Sequence, residues 1–471
     1  MMRVLLFTLL AAFAVATAQS APDSWPDPFE MTFEPLDEVT LEPERVELSN
    51  GVVVYLLSDT SLPLIEGLAL VRAPSLYDPE GETGLAALTA DLLRTGGAGE
   101  RSADEVDETL EFLAASVEGS ADNTSAAVSF SALSDNVDEV LEVFGDVLQR
   151  PQFAEERLEL SRGQILEEIR RENDDPVGVA QREFFRRVAE GHPVGAFPTV
   201  ESVQAISRDD VVSFYERYYA PNATILAVSG DFERDEMVAK LEAAFGDWPQ
   251  TDVDYPEVPP LDPNPEPRVY YAPKETTQSV IFMGQPSILA YSPDYADLTV
   301  ANGILGGEGF SSRITTEIRT RRGLAYATGS ALTQGFEYPG FFFAYSLSRG
   351  DATGQVIGLL QEEVRRLQQE GVSDGELAQQ KETLLSRAVF RFTSSAQVTQ
   401  RAAQAEFLGL EENYYEDYID AVEAATTGDV QEAAQDELRP DNFVVMVVGD
   451  ASQFDMPLEN FGEVVTIELE E

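Results

Sequence analysis

The stretch VELSNGVVVYLLSD (46–59) alternates apolar and polar positions in two β-branched runs around Ser49-Asn50-Gly51. That period predicts two strands, and Asn-Gly supplies the positive φ values of a tight hairpin turn. SADEVDETLEFLAASV (102–117) changes to a helical period. Ser102 and Glu105 form a capping box, and Val106, Leu110, Leu113 and Val117 fall on one face. SDNVDEVLEVFGDVL (134–148) repeats this with Val137, Leu141, Phe144 and Leu148. GFFFAYSLS (340–348) predicts a strand, and QVIGLLQEEVRRLQQEG (355–371) a helix. Hairpin-like strands alternating with helix pairs predict an α+β architecture: mainly antiparallel sheets with helices packed on one face.

The pattern occurs twice. PNATILAVSGD (221–231) and PDNFVVMVVGD (440–450) each follow a helical stretch and read as a buried strand. They share the opening Pro and the closing Gly-Asp, which argues for an internally duplicated unit. YPEVPPLDPNPEP (255–267) separates the two, and proline, with φ fixed and no backbone donor, predicts an extended spacer. The expected organisation is an N-terminal domain over 36–254, a Pro-rich linker over 255–267 and a C-terminal domain over 268–466. At the start of the chain Arg3 precedes VLLFTLLAAFAVA and the A-x-A site Ala16-Thr17-Ala18. Residues 1–18 therefore read as a signal peptide and the chain as exported, periplasmic or extracellular. No later stretch is long and apolar enough to span a bilayer.

Composition narrows the function classes. A chain of 471 residues, 43% hydrophobic, can bury more than one core. Its formal net charge is -54, spread along the whole length, and Lys240, Lys274 and Lys381 are its only lysines. Such a surface repels nucleic acid and anionic membrane and suits a salty habitat, where screening relieves self-repulsion. The absence of cysteine excludes a thiol nucleophile. The one histidine, His192 in EGHPVGAF, cannot make a zinc site alone and reads as a structural residue bonding backbone at a helix end. No G-x-S-x-G accompanies it. LGGEGFSSR (305–313) is a glycine-rich loop carrying Glu308 and lacking Gly-Lys-Ser/Thr, so Gly306, Gly307 and Gly309 predict a flexible turn near a substrate more than a phosphate cradle. Just after it, IRTRRGLAY (318–326) crowds Arg319, Arg321 and Arg322 into one predicted helical turn, with Arg313 before them.

These pieces carry a resemblance. LSNGVVVYLL, GETGLAALTADLLRTGG (81–97), ILEEIRREND (165–174) and the stretches 191–232 and 305–330 together resemble the insulinase-like zinc peptidases, the group that includes pitrilysin and the mitochondrial processing peptidase. The resemblance covers nearly the whole chain after residue 18 and implies two homologous domains. Active members place His-x-x-Glu-His directly after a Gly-Leu-Ala such as the one here. In this chain those positions read Ala87-Leu88-Thr89-Ala90-Asp91. The third family ligand, a glutamate downstream, matches Glu168. Ala87, Ala90, Asp91 and Glu168 are thus vestigial zinc-site positions, and a carboxylate pair is a poor site for Zn²⁺. The resemblance further implies that Arg319 and Tyr326 are the family's Arg/Tyr pair, which binds peptide near the scissile bond. Some members are split into a zinc-bearing chain and a chain carrying that pair. The expectation is therefore a non-catalytic, substrate-binding subunit of a heterodimeric exported zinc endopeptidase. It would have no metal of its own, zinc in a homologous partner subunit, and peptide held as an added strand on a sheet edge. A structural subunit, a homodimeric peptide-binding clamshell and a peptidase with non-histidine ligands are the alternatives.

Overall fold

Two six-stranded sheets with the same internal wiring organise the protein. The computed structural model describes residues 42–389, 393–411 and 413–469, so the predicted signal peptide at 1–18 lies outside the described residues. The first sheet contains β1 (Glu44–Glu47), β2 (Val53–Ser58), β3 (Leu64–Val71), β4 (Ser116–Ala121), β5 (Ala126–Leu133) and β6 (Thr224–Gly230), in the order β1-β2-β6-β3-β5-β4. The second contains β7 (Val269–Pro273), β8 (Gln278–Pro286), β9 (Ala325–Leu332), β10 (Phe341–Arg349), β11 (Val444–Gly449) and β12 (Val464–Thr466), in the order β12-β7-β11-β8-β10-β9. Strands β2 to β6 and β7 to β11 occupy matching places. In each set one pair is parallel, β2 with β6 and β7 with β11, and the remaining pairs are antiparallel. The outermost strands break the symmetry, because β1 precedes its sheet in antiparallel pairing and β12 follows its own in parallel pairing. The two Pro…Gly-Asp segments supply β6 and β11, central strands of their sheets, and every residue of β11 is buried.

Among the described residues eight helices belong to the first half: α1 (Leu85–Thr95), α2 (Ala103–Leu113), α3 (Val137–Gln149), α4 (Glu155–Arg171), α5 (Pro176–Val188), α6 (Val200–Ala205), α7 (Arg208–Tyr218) and α8 (Arg234–Phe245). The second half adds α9 (Tyr295–Asn302), α10 (Thr353–Glu370), α11 (Asp374–Val389), α12 (Ser395–Phe407), α13 (Tyr414–Ala424) and α14 (Thr427–Glu437). The capping box at Ser102 starts α2, with Val106, Leu110 and Leu113 buried on its inner face. Val117 does not continue that face. Ala114 takes a left-handed conformation that stops the helix, and Val117 points into the core from β4 instead. The hairpin at 46–59 forms with a longer connection than a two-residue turn. Only Gly51 has positive φ, and Asn50 is drawn inward to donate to the carbonyls of Phe245 and Trp248 at the end of α8.

The α+β reading holds, with one addition. Besides the helices of its own half, each sheet receives a helix from the other half: α5 packs on β8 and β11, and α12 packs on β2, β3 and β6. On α5, Phe184 and Phe185 enter an aromatic cluster with Phe282, Phe341 and Phe343, at centroid distances of 5.3 to 6.0 Å. On α12, Glu406 accepts a bidentate pair from Arg45 at 2.7 and 2.8 Å and the Tyr55 hydroxyl at 2.6 Å. The Pro-rich segment 255–267 has no regular structure but is not a free spacer, since Leu261 is buried and Val258 packs on the core. The described residues accordingly close into a single compact unit.

Candidate functional site

The helix that carries the zinc motif in active relatives of the resemblance is α1. Its start is set by Asp78, whose carboxylate accepts the backbone N–H groups of Gly84 at 2.7 Å and Ala86 at 2.8 Å. Burial pushes the Asp78 carboxyl up to about 6 against the pull of those bonds. Ala87 is exposed, Ala90 is buried, and Asp91 is half-buried. Asp91 already has partners: its Oδ2 accepts from Ser161 Oγ on α4 at 2.7 Å and from Thr95 Oγ1 at 3.3 Å. Glu168 lies two turns beyond Ser161 on α4, exposed. Among the described residues no group of three or more His, Cys, Asp or Glu could hold a metal ion. The donor set does not fit zinc, because these positions supply no imidazole or thiolate and the carboxylate on α1 is taken by two hydroxyls. His192 is likewise occupied. Its Nδ1 accepts from the Val194 N–H at 3.1 Å, so Nε2 carries the proton and donates to the Pro259 carbonyl at 2.9 Å, stapling the Pro-rich segment to the first half. Burial lowers its pKa and keeps it neutral.

The second half brings Arg319 and Tyr326 together. After α9 the chain runs through a π-helical turn at Gly303–Gly307 and a second π-helical segment at Thr315–Arg321 before entering β9. Wide turns of this kind are rare and frequently mark functional sites. Of the three glycines read as a flexible loop, Gly306 is buried, and a Cβ there would come within 2.4 Å of the Ser330 nitrogen on β9. It is a packing glycine. Gly307 is exposed, and its Cβ would meet Asn302 Nδ2 at 2.9 Å. Only Gly309 has left-handed φ, +45°, with open space around it. Thr315 Oγ1 donates to the Thr328 carbonyl at 3.0 Å, which pins the second wide turn to β9.

The arginines of this segment divide by partner. Arg313 makes a bidentate bond with Glu376 on α11, at 2.7 and 2.9 Å, and donates to the Gly371 carbonyl. With Arg313 and Ser373 donating to it, the Glu376 carboxyl is held down at about 2. Arg321 and Arg322 share Glu317, and Glu308 of the glycine loop takes Arg387 at 2.6 Å. Arg319 differs: its guanidinium makes no hydrogen bond or ion pair among the described residues. Its Cζ lies 4.6 Å from the ring centroid of Phe310 and 5.1 Å from that of Tyr326. Both rings are open to solvent, Phe310 72% and Tyr326 74% exposed.

Tyr326 owes its position to a β-bulge. In the β9–β10 ladder Leu347 faces Ala327 and Ser348 faces Ala325, so Tyr326 is the extra residue without a partner. A bulge re-aims a side chain, and β9 is the last strand of its sheet, so the tyrosine stands beside an unpaired strand edge. The sequence reading missed Phe310; the available signal was an aromatic residue inside a glycine-rich loop. It also missed Ser161, two turns before Glu168 on α4, which no sequence spacing ties to Asp91 on α1.

Comparison with known proteins agrees with this fold. The profile described as "Insulinase (Peptidase family M16)" matches residues 68–196, and "Peptidase M16 inactive domain" matches residues 205–384. An uncharacterized zinc protease of Streptomyces coelicolor is 28% identical over 310 residues, 63% of this chain and 66% of that protein. An uncharacterized zinc protease of Rickettsia bellii is 23% identical over 78% of this chain and 86% of its own length. The non-peptidase homolog YmxG of Helicobacter pylori is 24% identical over 78% of this chain and 84% of its own length. Among solved structures, a peptidase M16 inactive domain from Pseudomonas fluorescens superposes with TM-score 0.79 at 23% identity, covering 87% of this chain and 98% of that one. A protease from Helicobacter pylori gives TM-score 0.76 at 19% identity, covering 86% and 99%.

Proposed function

The chain belongs to the insulinase family, peptidase family M16, and from that premise we propose that it is the substrate-binding subunit of a two-chain exported zinc endopeptidase. It is a homologue of peptidases whose own α1 lacks the donors for zinc. One observation carries the reading: Arg319 reaches no carboxylate in a strongly acidic chain and sits with Tyr326 at an unpaired strand edge. An extended peptide added to β9 would place a backbone carbonyl near both donors. Hydrolysis of an amide builds negative charge on that oxygen, which a positioned guanidinium or phenol stabilises. A partner of the same family bearing His-x-x-Glu-His would supply the zinc centre. Export rests on the leader-like sequence at 1–18. The test is affinity capture of the tagged chain from its host at host salt, with the captured proteins identified by mass spectrometry. Stoichiometric recovery of a similar-sized protein carrying His-x-x-Glu-His is expected. Recovery of the chain alone, as a homodimer, would overturn the two-chain reading.

A further inference from the structure

The ring contacts of Arg319 bear on what kind of peptide it would hold. A guanidinium over an aromatic face makes no use of its N–H donors, which point outward in its own plane. Arg319 spends none of them on the described residues, although it lies within the second wide turn, whose neighbours Arg313, Arg321, Arg322 and Arg387 all reach carboxylates. Within this segment and the side chains paired to it, four arginines share three glutamates, Glu308, Glu317 and Glu376, and Arg319 takes none of them. In a chain of net charge -54, Arg319 is thus left between two exposed rings with no glutamate of its own. The planar acceptor that matches a free guanidinium fork is a carboxylate, which takes two parallel N–H···O bonds where a neutral amide oxygen offers one atom. Phe310 and Tyr326 add apolar surface on either side of that fork in the sequence and beside it in space.

We propose that Phe310, Arg319 and Tyr326 form a carboxylate seat. The polypeptides this chain binds would then present an Asp or Glu side chain, or a free C-terminus, next to an apolar residue. Phe310 is the positioning residue, holding the guanidinium plane and offering its own ring to the neighbouring side chain. This rests on the substrate-binding reading above and names the class of substrate.

The test uses the intact chain and one unlabelled synthetic peptide made in four forms, with Glu or Gln at one central position and a free or amidated C-terminus. Affinity is read by calorimetry at a salt concentration that screens the overall charge. The expected result is at least about 10-fold tighter binding for a carboxylate-bearing form than for the Gln, amidated form. The Glu, amidated form and the Gln, free-acid form tell which source of carboxylate is used. Arg319→Gln should erase the difference. Phe310→Ala should weaken the preferred form about 10-fold while leaving the Gln, amidated form nearly unchanged. Arg349→Gln, at an exposed arginine paired with Asp351, should change nothing. Both site variants should melt with the native chain, since Phe310 is exposed and the Arg319 guanidinium holds no hydrogen bond among the described residues. Equal affinity for all four forms would overturn the carboxylate seat and leave the substrate-binding reading standing. Binding of none of them would overturn both.

Discussion

An arginine in so acidic a chain normally finds a carboxylate, as Arg313, Arg321, Arg322 and Arg387 do, and Arg319 is instead held by two rings. At the residue scale the sequence disclosed identities and spacing: Arg319 and Tyr326 seven positions apart, and Ala87 and Asp91 where the resemblance implies histidines, with Ala90 in place of the glutamate. It did not disclose Phe310's place beside Arg319, which needs the fold of the glycine loop, or the bulge that turns Tyr326 outward, which is a matter of strand register. The degenerate metal site gives a prediction at this scale. Equilibrated with excess zinc and desalted, the chain should retain well under one zinc per molecule by elemental analysis. Asp91→Ala should cost only about 1 kcal/mol of stability, the worth of its hydroxyl partners. Stoichiometric zinc would refute this account of α1.

At the element scale the decisive feature is the exchange of α5 and α12 between the halves. The sequence reading assigned neither helix, and even an apolar face does not say which sheet it will cover. Phe184 is fully buried against residues of the second sheet, so Phe184→Ala should lower the unfolding free energy by about 3–5 kcal/mol in denaturant titration. It should also loosen both halves together, because α5 belongs to one and packs on the other. Two further contacts predict pH dependence. His192 is kept neutral, so its contribution is complete above the unfolded value near 6.5 and is lost as pH falls below it. Asp78, raised to about 6, acts in the opposite sense, with stability gained as pH falls from about 6 toward 3.8. His192→Gln should therefore flatten the slope of melting temperature below pH 6.5 relative to the native chain. Glu376, held at about 2, contributes stability above its ordinary value of 4.5 that is lost as pH falls through 2. Glu376→Gln should remove that acid limb.

At the scale of the whole molecule the duplication was legible from two matching Pro…Gly-Asp segments, and the two sheets repeat the same strand order. The packed course of 255–267 was not, because proline content predicts an extended chain without saying what Leu261 and Val258 touch. The diffuse charge predicts a melting temperature that rises steadily with NaCl or KCl toward molar levels; a flat profile would remove the idea of salt adaptation. The central claim is that a chain without zinc donors contributes Arg319 to hydrolysis carried out with a zinc-bearing partner. Its most direct test is turnover of the reconstituted pair with native chain, Arg319→Ala chain or partner alone. Loss of roughly 10²-fold in kcat/KM on Arg319→Ala, with the pair still assembled, is the predicted result. Undiminished turnover by the Arg319→Ala pair would contradict it.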